Sequence, residues 1–330
     1  MNRARWAWLV LLLTAAAAVG VSLSVGEGDL GEESLRGTYL ELRSWRLMNS
    51  MLAGAGLAVG GVLVQGLFRN PLASPSILGT TAGASLGGVL MLLLWNRVLL
   101  SSVPDWLPYE MLLPVGCLAG AWLSLMILLG VTGRRSGLVS VLLTGFILSS
   151  FFVAVGGFLM SLAQENWELG RSVVAFTLGG VDSKGGTHVA MAVPLVLLGT
   201  LAALGWSRHL DAMLAGEEEA ASLGVNVLQV RRWAIVWTAV LTGAAVAIGG
   251  NVSFVGLVVP HVMRSYVGVR HRALVPAAFV GGAVFVAWAD ILTRIVPAQG
   301  SIPLGVVTGL VGAPVFLVLL AKAARDGRIA

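Results

Sequence analysis

Apolar runs of near 20 residues recur along the whole 330-residue chain, and they limit the possible folds more than any other feature. A run of this length crosses a hydrocarbon core about 30 Å thick as one helix. Only 11% of the residues are charged and the mean hydropathy is +0.89, whereas soluble domains carry about 25% charged residues. The alternating pattern of a membrane β-barrel is absent from the sequence. The sequence therefore predicts an all-α membrane protein with a single transmembrane domain over residues 1–330.

We predict about ten spans and place both termini in the cytoplasm. The predicted spans are 6–25, 46–68, 76–95, 110–130, 138–161, 188–206, 233–250, 252–267, 274–292 and 304–321. With both termini inside, fourteen of the 21 Lys and Arg residues lie on the cytoplasmic side and seven lie outside, as the positive-inside rule requires. The net charge of +5 follows this topology, so it does not indicate nucleic-acid binding.

The first apolar run follows Arg3 and Arg5 and resembles a signal peptide. Its length is sufficient to span, so we expect it to be retained. Pairs of glycines spaced four apart recur in the later spans. They are Gly56/Gly60, Gly83/Gly87, Gly116/Gly120 and Gly305/Gly309. Because such pairs let helix backbones approach closely in lipid, we expect a compact bundle.

Two glycine-rich stretches indicate an internal repeat. Residues 54–61 read GAGLAVGG and residues 243–250 read GAAVAIGG, and Arg43 and Arg232 each lie eleven residues before them. On the predicted topology the two copies enter from opposite sides, as in the inverted repeats of many transporters. Convergence of two glycine-rich helices remains the alternative.

The stretch GLFRNPLASPSILG, residues 66–79, interrupts two apolar runs with polar residues and prolines. Pro71 and Pro75 remove backbone donors and bias Asn70 and Ser74 away from helix. We therefore expect the second span to stop near Phe68, with Arg69 at the membrane edge. A new helix can start around Pro75, since proline suits a first turn.

A long cytoplasmic segment, about 207–232, separates the sixth and seventh predicted spans. Within it a short helix is predicted between two glycines, with acids in its first turn that favour the helix dipole and small apolar residues behind them. The residues are Gly216, Glu217, Glu218, Ala220, Ala221, Leu223 and Gly224. These apolar residues either meet a protein partner or pack back on the bundle.

Arg43 and Arg46 are predicted on one face at the outer start of the second span. Cations there oppose both the helix dipole and the positive-inside rule, which suggests an acidic partner outside. Snorkelling to lipid phosphates is the alternative. Asp290 and Arg294, one turn apart near the outer end of the ninth span, are interpreted as a structural pair.

Signals for covalent chemistry are weak. Ser85 lies in a G-x-S-x-G pattern, which requires a strand-to-helix elbow, and His261 is the single histidine within a predicted span interior. Cys117 is the sole cysteine, which excludes a disulfide framework. The sequence has no P-loop motif, so any ATP hydrolysis has to occur on another subunit.

Several stretches together resemble the FecCD-type permeases of ABC importers for iron–siderophore complexes, haem and cobalamin, a type II importer family. The similarity runs from about Arg43 to Lys322. It rests on QGLFRNPLASPSILGTTAGASLG (65–87), LLTGFILSSFF (142–152), GEEEAASLGV (216–225), FVGLVVPHVMRSYVGVRHRALVP (254–276), ADILTRI (289–295) and IPLGVVTGLVGAPVFLVLL (302–320).

The resemblance implies a ten-span subunit of the bacterial inner membrane that pairs with a second copy of itself around the substrate path. It also implies two cytosolic ATPase subunits that hold ATP-Mg, an external substrate-binding protein, and no cofactor bound by this chain. Gly216–Gly224 would be the ATPase-coupling element. Arg43, Arg46 and Arg294 would dock the binding protein, and Arg69, Asn70, Pro71 and Pro75 would form the family's signature turn. Ser140, Thr144 and Ser149 of the fifth span would line the path.

Two positions depart from the family pattern. Residues 43–46 read RSWR where the family usually has Arg-Leu-Pro-Arg, and Ser301 stands where it often carries a Glu. We therefore expect a different entry angle for the second span, and no docking or pairing role is carried over to Ser301. Two other functions stay open: a secondary transporter, which would require buried carboxylates along the path, and an intramembrane hydrolase using Ser85 and His261.

Overall fold

The computed structural model describes residues 3–26, 28, 31–97, 111–132, 137–182, 184–296 and 302–325. Over these ranges the chain contains helices and no strand. The helices are α1 (Arg3–Ser24), α2 (Arg36–Phe68), a 3₁₀ helix (Pro75–Leu78), α3 (Thr80–Arg97), α4 (Leu112–Thr132), α5 (Leu138–Ala163), α6 (Trp167–Leu178), α7 (Gly186–Gly205), α8 (Ser207–Met213), α9 (Glu217–Ser222), α10 (Val227–Gly249), α11 (Val255–Val267), α12 (His271–Ile295) and α13 (Leu304–Arg325).

Each predicted span coincides with one helix, but ten membrane crossings are not confirmed. Within the described ranges, seven helices are long and apolar enough to cross: α1, α2, α4, α5, α7, α10 and α12. The apolar parts of α3 and α13 are shorter. The eighth predicted span is α11, whose 13 residues extend about 20 Å, less than the thickness of a hydrocarbon core.

Helices α2 and α12 run antiparallel through the middle and define two ends of the bundle. At one end Arg46, near the start of α2, donates to Asp290 near the end of α12 (Nε to Oδ1, 2.9 Å). At the other end the ring of His271, the first residue of α12, lies against Gly66 in the last turn of α2. We call these the Arg46 end and, after the short helix α9 that lies there, the Glu217 end.

Small residues allow the helices to pack closely, as the glycine spacing predicts. Within α2, 89% of the most apolar window is buried, and a Cβ added at Gly54 would overlap the backbone of Gly282 in α12. Gly83 of α3 faces Gly120 of α4, where an added Cβ would lie 2.7 Å from the carbonyl oxygen. In the fourth predicted pair only Gly305 is closely packed, since a Cβ added at Gly309 would meet no atom within 4 Å.

The two copies of the proposed repeat lie in α2 and α10, which pack directly against each other. A Cβ at Gly56 would stand 3.2 Å from the carbonyl oxygen of Leu241. Helix α10 starts at the Glu217 end, where Arg231 pairs with Glu217, and α2 ends there. The two glycine-rich helices are therefore antiparallel, the relation that an inverted repeat requires.

Candidate functional site

Arg43 and Arg294, both predicted to dock a binding protein, cap the carboxyl end of α1. Arg43 Nη1 donates to the carbonyls of Leu23 (2.8 Å) and Ser24 (3.1 Å). Its Nη2 donates to the carbonyls of residues 26 and 28, both at 3.0 Å. The last carbonyls of a helix have no partner within it and carry the negative end of the dipole. Arg43 is consequently 5% exposed and is directed into its own chain.

Arg294 completes this cap from α12. Its Nη1 donates to the carbonyls of Val25 (2.6 Å) and Ser22 (3.2 Å), and its Nη2 to the Ser22 hydroxyl (2.8 Å). The same Nη2 lies 2.9 Å from Asp290 Oδ2. The structural pair expected between Asp290 and Arg294 is present, and it is also a joint between α12 and α1.

Arg46 is shared between two carboxylates. Its Nε pairs with buried Asp290, and its Nη2 donates to the Thr293 hydroxyl at 3.1 Å. Its Nη1 forms an ion pair with Asp182, which lies between α6 and α7 and whose side chain is 52% exposed. Since the Arg46 side chain itself is 15% exposed, it is the most accessible of the three arginines. The docking role of the three remains a prediction, and the geometry favours Arg46 for it.

Asp211 and His271 form a joint at the Glu217 end that the sequence did not single out. Asp211, in α8, accepts through Oδ1 from the backbone nitrogen of His271 (2.8 Å) and lies 2.6 Å from its ring Nδ1. The carboxylate thus takes the place of an N-cap on α12. The sequence could not predict this pair, because Asp211 and His271 are 60 positions apart and no helical spacing connects them.

The predicted coupling residues divide into an anchored set and an exposed set. Gly216 and Gly224, with φ of 144° and 82°, bracket the six-residue helix α9. Glu217 pairs with Arg231 of α10 at 2.8 Å, and Ala220 is fully buried. Glu218, Ala221 and Leu223 are exposed, Leu223 at 72%. Ala220 thus packs back on the bundle, whereas Leu223 is exposed in the single chain, and a protein partner for it stays a prediction.

The turn after α2 begins at the surface, where Arg69 was predicted, and then reaches into the bundle. Arg69 ends α2 in the left-handed region (φ 50°) and is exposed. Asn70 accepts from the backbone nitrogen of Leu72 (2.9 Å), and Pro71 is exposed. Pro75 then starts the 3₁₀ helix, as predicted for a helix start, and is buried.

The depth of Pro75 follows from its neighbours. Its ring lies 3.6 Å from the Cβ position of Gly60 in α2, and it also contacts Gly256 at the start of α11. Gly60 is eight residues before the end of α2, about 12 Å along the helix. The signature turn is therefore a surface loop only up to Pro71 and then re-enters the core.

Helix α5, which carries the predicted path residues, is largely uncovered in the single chain. Only 17% of its most apolar window is buried. Ser140 is exposed and Thr144 is half-buried, whereas the Ser149 hydroxyl donates to the carbonyl of Ser76 in the 3₁₀ helix (3.0 Å). The large apolar side chains that are exposed on α5 are Val139, Leu143, Phe146, Ile147, Phe151, Val153, Phe158 and Leu162.

Ser85 and His261 do not form a pair in the described part of the chain. Ser85 lies in α3 next to the glycines that pack on α4, and His261 lies in α11, which packs on α2 and α12. The Nδ1 atom of His261 has no hydrogen-bond partner. Among the described residues, no three His, Cys, Asp or Glu side chains are grouped to hold a metal ion.

Gln65 is a functional candidate that we did not predict. Its Oε1 accepts from Arg264 Nη2 at 2.9 Å, and its Nε2 donates to the Leu257 carbonyl at 3.2 Å. The side chain thereby ties α2 to the half-length helix α11. The available signal was a fully polar amide inside an apolar span, since such a group is costly in a membrane without a partner.

Comparisons with known proteins agree with this architecture. Residues 7–322 match the model of the FecCD transport family. The chain is 38% identical over 283 residues to the Fe(3+) dicitrate transport system permease protein FecD of Escherichia coli, covering 86% of this chain and 85% of that protein. It is 33% identical to the cobalamin import system permease protein BtuC of Halobacterium salinarum (84% and 72% covered) and 34% identical to the hemin transport system permease protein HmuU of Yersinia pestis (86% and 83%).

Among solved structures, an inward-facing putative metal-chelate type ABC transporter superposes with a TM-score of 0.84. Its sequence is 28% identical, and the match covers 96% of this chain and 99% of that one. The similarity thus extends over nearly the whole bundle, including both ends described above. The chain belongs to the FecCD transport family and is a multi-pass membrane permease of an ABC importer.

Proposed function

We propose that this permease carries an iron–siderophore complex, or a related metal chelate such as haem or cobalamin, into the cytoplasm. It works as a homodimer in the bacterial inner membrane with both termini inside. Two separate cytosolic subunits bind and hydrolyse ATP, and an external binding protein delivers the substrate. The support for the substrate class is the set of cargoes that the names of its relatives state.

The exposed residue Leu223, directly after the anchored helix α9, is the observation that carries the proposal. An apolar side chain that is 72% exposed on a segment held by Glu217–Arg231 and Asp211–His271 requires a partner. The anchoring matters because a rigid contact transmits movement, whereas a loose loop does not. A groove on the ATPase that receives Leu223 would therefore move α8 and α9, and through Asp211 the start of α12.

The uncovered face of α5 supports the homodimer. Two copies facing each other across α5 would enclose a path between them, lined by Ser140 and Thr144 and by apolar side chains. Such a wall offers few groups to bind a cargo tightly, so selectivity would rest with the binding protein. The bundle would then alternate between two states biased from its two ends.

A coupling test compares Leu223→Asp with Val269→Asp, an exposed apolar residue (57%) between α11 and α12 at the same end. We expect Leu223→Asp to abolish pull-down of the ATPase subunit and ATP-dependent uptake, because a desolvated carboxylate opposes an apolar groove. Val269→Asp should retain both activities.

Uptake is measured in proteoliposomes with labelled ferric siderophore, haem and cobalamin, each with its matching binding protein. Normal ATPase assembly in Leu223→Asp would contradict the coupling assignment. Uptake that an ion gradient drives in vesicles without ATPase would instead establish the secondary-transporter alternative and overturn the proposal.

A further inference from the structure

A groove on the exposed face of α10 begins in the last residues of the predicted coupling segment and continues beyond them along the helix. It has a volume of about 600 Å³ and opens near the Glu217 end. Its lining residues are Asn226, Leu228, Gln229, Arg232, Trp233 and Val236. Residues three and four apart share one face of a helix, so the groove follows a single face of α10 beyond its capping residue.

The groove crosses the boundary between the polar and apolar parts of α10. Arg232 is the last charged residue before an uncharged stretch that continues from Trp233 to Gly249. From Gln229 to Val236 the groove extends about 10 Å along the helix. The headgroup layer on each side of a bilayer is about 5–8 Å thick, so a groove of this length reaches from the headgroups into the hydrocarbon.

Two tryptophans mark the membrane surface at this level. The ring of Trp233 stacks on that of Trp206 at the end of α7, with centroids 6.4 Å apart and an interplanar angle of 27°. Trp206 also packs on His209 at 4.9 Å. Tryptophan is enriched where a membrane protein crosses the headgroup region, so neighbouring helices place that region at the depth of the groove.

Arg232 supplies a positive charge at the polar end of the groove. It is exposed and makes no hydrogen bond or ion pair with any residue that the structure describes. Its neighbour Arg231, in contrast, is bound to Glu217 at 2.8 Å. A guanidinium is suited to a phosphate because its planar donors form paired hydrogen bonds.

We propose that this groove binds one anionic phospholipid, with its phosphate on Arg232 and an acyl chain along Trp233 and Val236. Basic pockets beside transmembrane helices recognise anionic headgroups in this way. A cytosolic subunit fits the groove less well. Val236 lies four residues, or about 6 Å, beyond the last charge of the segment and therefore within the apolar part of the span.

The test titrates the purified permease in detergent micelles with phosphatidylglycerol carrying brominated acyl chains, which quench nearby indoles. The difference between the natural chain and Trp233→Phe isolates the signal of Trp233. We expect Arg232→Gln to weaken phosphatidylglycerol binding about fivefold, the effect of one cation next to an anionic surface. Arg272→Gln, which removes an exposed arginine at the same end outside the groove, should leave the affinity unchanged.

Brominated phosphatidylcholine should bind more weakly than phosphatidylglycerol and respond little to Arg232→Gln. Equal affinity for the two lipids, or equal phosphatidylglycerol affinity in the natural chain and Arg232→Gln, would overturn the proposal. So would loss of ATPase pull-down in Arg232→Gln without a change in lipid quenching, because the groove would then be a protein contact.

Discussion

A single residue, Arg46, holds two carboxylates in very different surroundings. Asp290 is 1% exposed and lies between the guanidinium groups of Arg46 and Arg294. Asp182 is about half exposed and pairs with Arg46. The two arginines therefore take the place of water around the Asp290 carboxylate. At Asp182, in contrast, water can replace Arg46.

This contrast predicts unequal costs for two similar substitutions. Asp290→Asn should lower the stability of the permease by about 3–5 kcal/mol, because it leaves two arginines near a buried site without their counter-charge. Asp182→Asn should cost at most about 1 kcal/mol, as for an exposed ion pair. Thermal unfolding in detergent measures both, and equal losses would refute this view of the cluster.

The Asp182→Asn variant also tests docking at Arg46. Removal of Asp182 frees the accessible side of the guanidinium, so an acidic binding protein should dock more tightly and with a steeper dependence on salt. Binding to the permease in nanodiscs is the measurement. Unchanged affinity and salt dependence would remove Arg46 from the docking surface.

Sequence reasoning identified part of this cluster. The spacing of Asp290 and Arg294 in one helix was sufficient to predict their pair. Arg46 is 244 residues from Asp290, and no periodic pattern connects positions that far apart. The interpretation of Arg43 as a docking residue rested on its charge, its place at the outer start of the second span and the family resemblance, and none of these distinguishes a cap for another helix from a partner outside.

At the scale of elements, helix positions were easier to predict than helix neighbours. Hydropathy located a helix for every predicted span, and glycine spacing indicated close packing. The glycine spacing did not indicate that Gly83 and Gly87 face Gly116 and Gly120, because any of the predicted glycine pairs could have packed against any other. The burial of Pro75 was also not predicted, because the sequence of a helix-breaking segment does not show whether the segment lies at the surface or in the core.

The α3–α4 contact allows a matched test with two glycines. Gly87→Ala should destabilise the bundle by about 1–3 kcal/mol, the usual cost of overpacking, because its Cβ would overlap the Gly116 carbonyl. Gly130→Ala, in the same helix pair but with no atom within 4 Å, should be neutral or stabilising by up to about 1 kcal/mol. Unfolding temperatures that change alike in both variants would contradict this packing.

At the scale of the whole molecule, burial is distributed very unevenly among the spans. In α2, 89% of the most apolar window is buried, but in α5 the value is 17%. Lipid alone can cover such a face. We propose instead that a second copy covers this face of α5, because the predicted path residues Ser140 and Thr144 belong to this helix.

Cysteine cross-linking distinguishes a second copy from lipid at α5. The natural Cys117 is fully buried, so an introduced cysteine would be the reactive one. We expect Phe146→Cys, on the uncovered face of α5, to give an oxidised dimer in membranes. Leu201→Cys, on α7 and similarly exposed (62%), should remain monomeric. A dimer only through residue 201 would place the interface elsewhere.

The caps on α1 have a consequence for biosynthesis. Helix α1 leaves the ribosome before α12, yet the guanidinium that binds Ser22 comes from Arg294, 272 residues later. Until α12 has been translated and inserted, the carbonyls of Ser22 and Val25 lack the donors that Arg294 supplies. We therefore expect α1 to enter the bilayer first and to take its place in the bundle among the last, so that chains truncated before α12 leave it accessible to the quality-control proteases of the membrane.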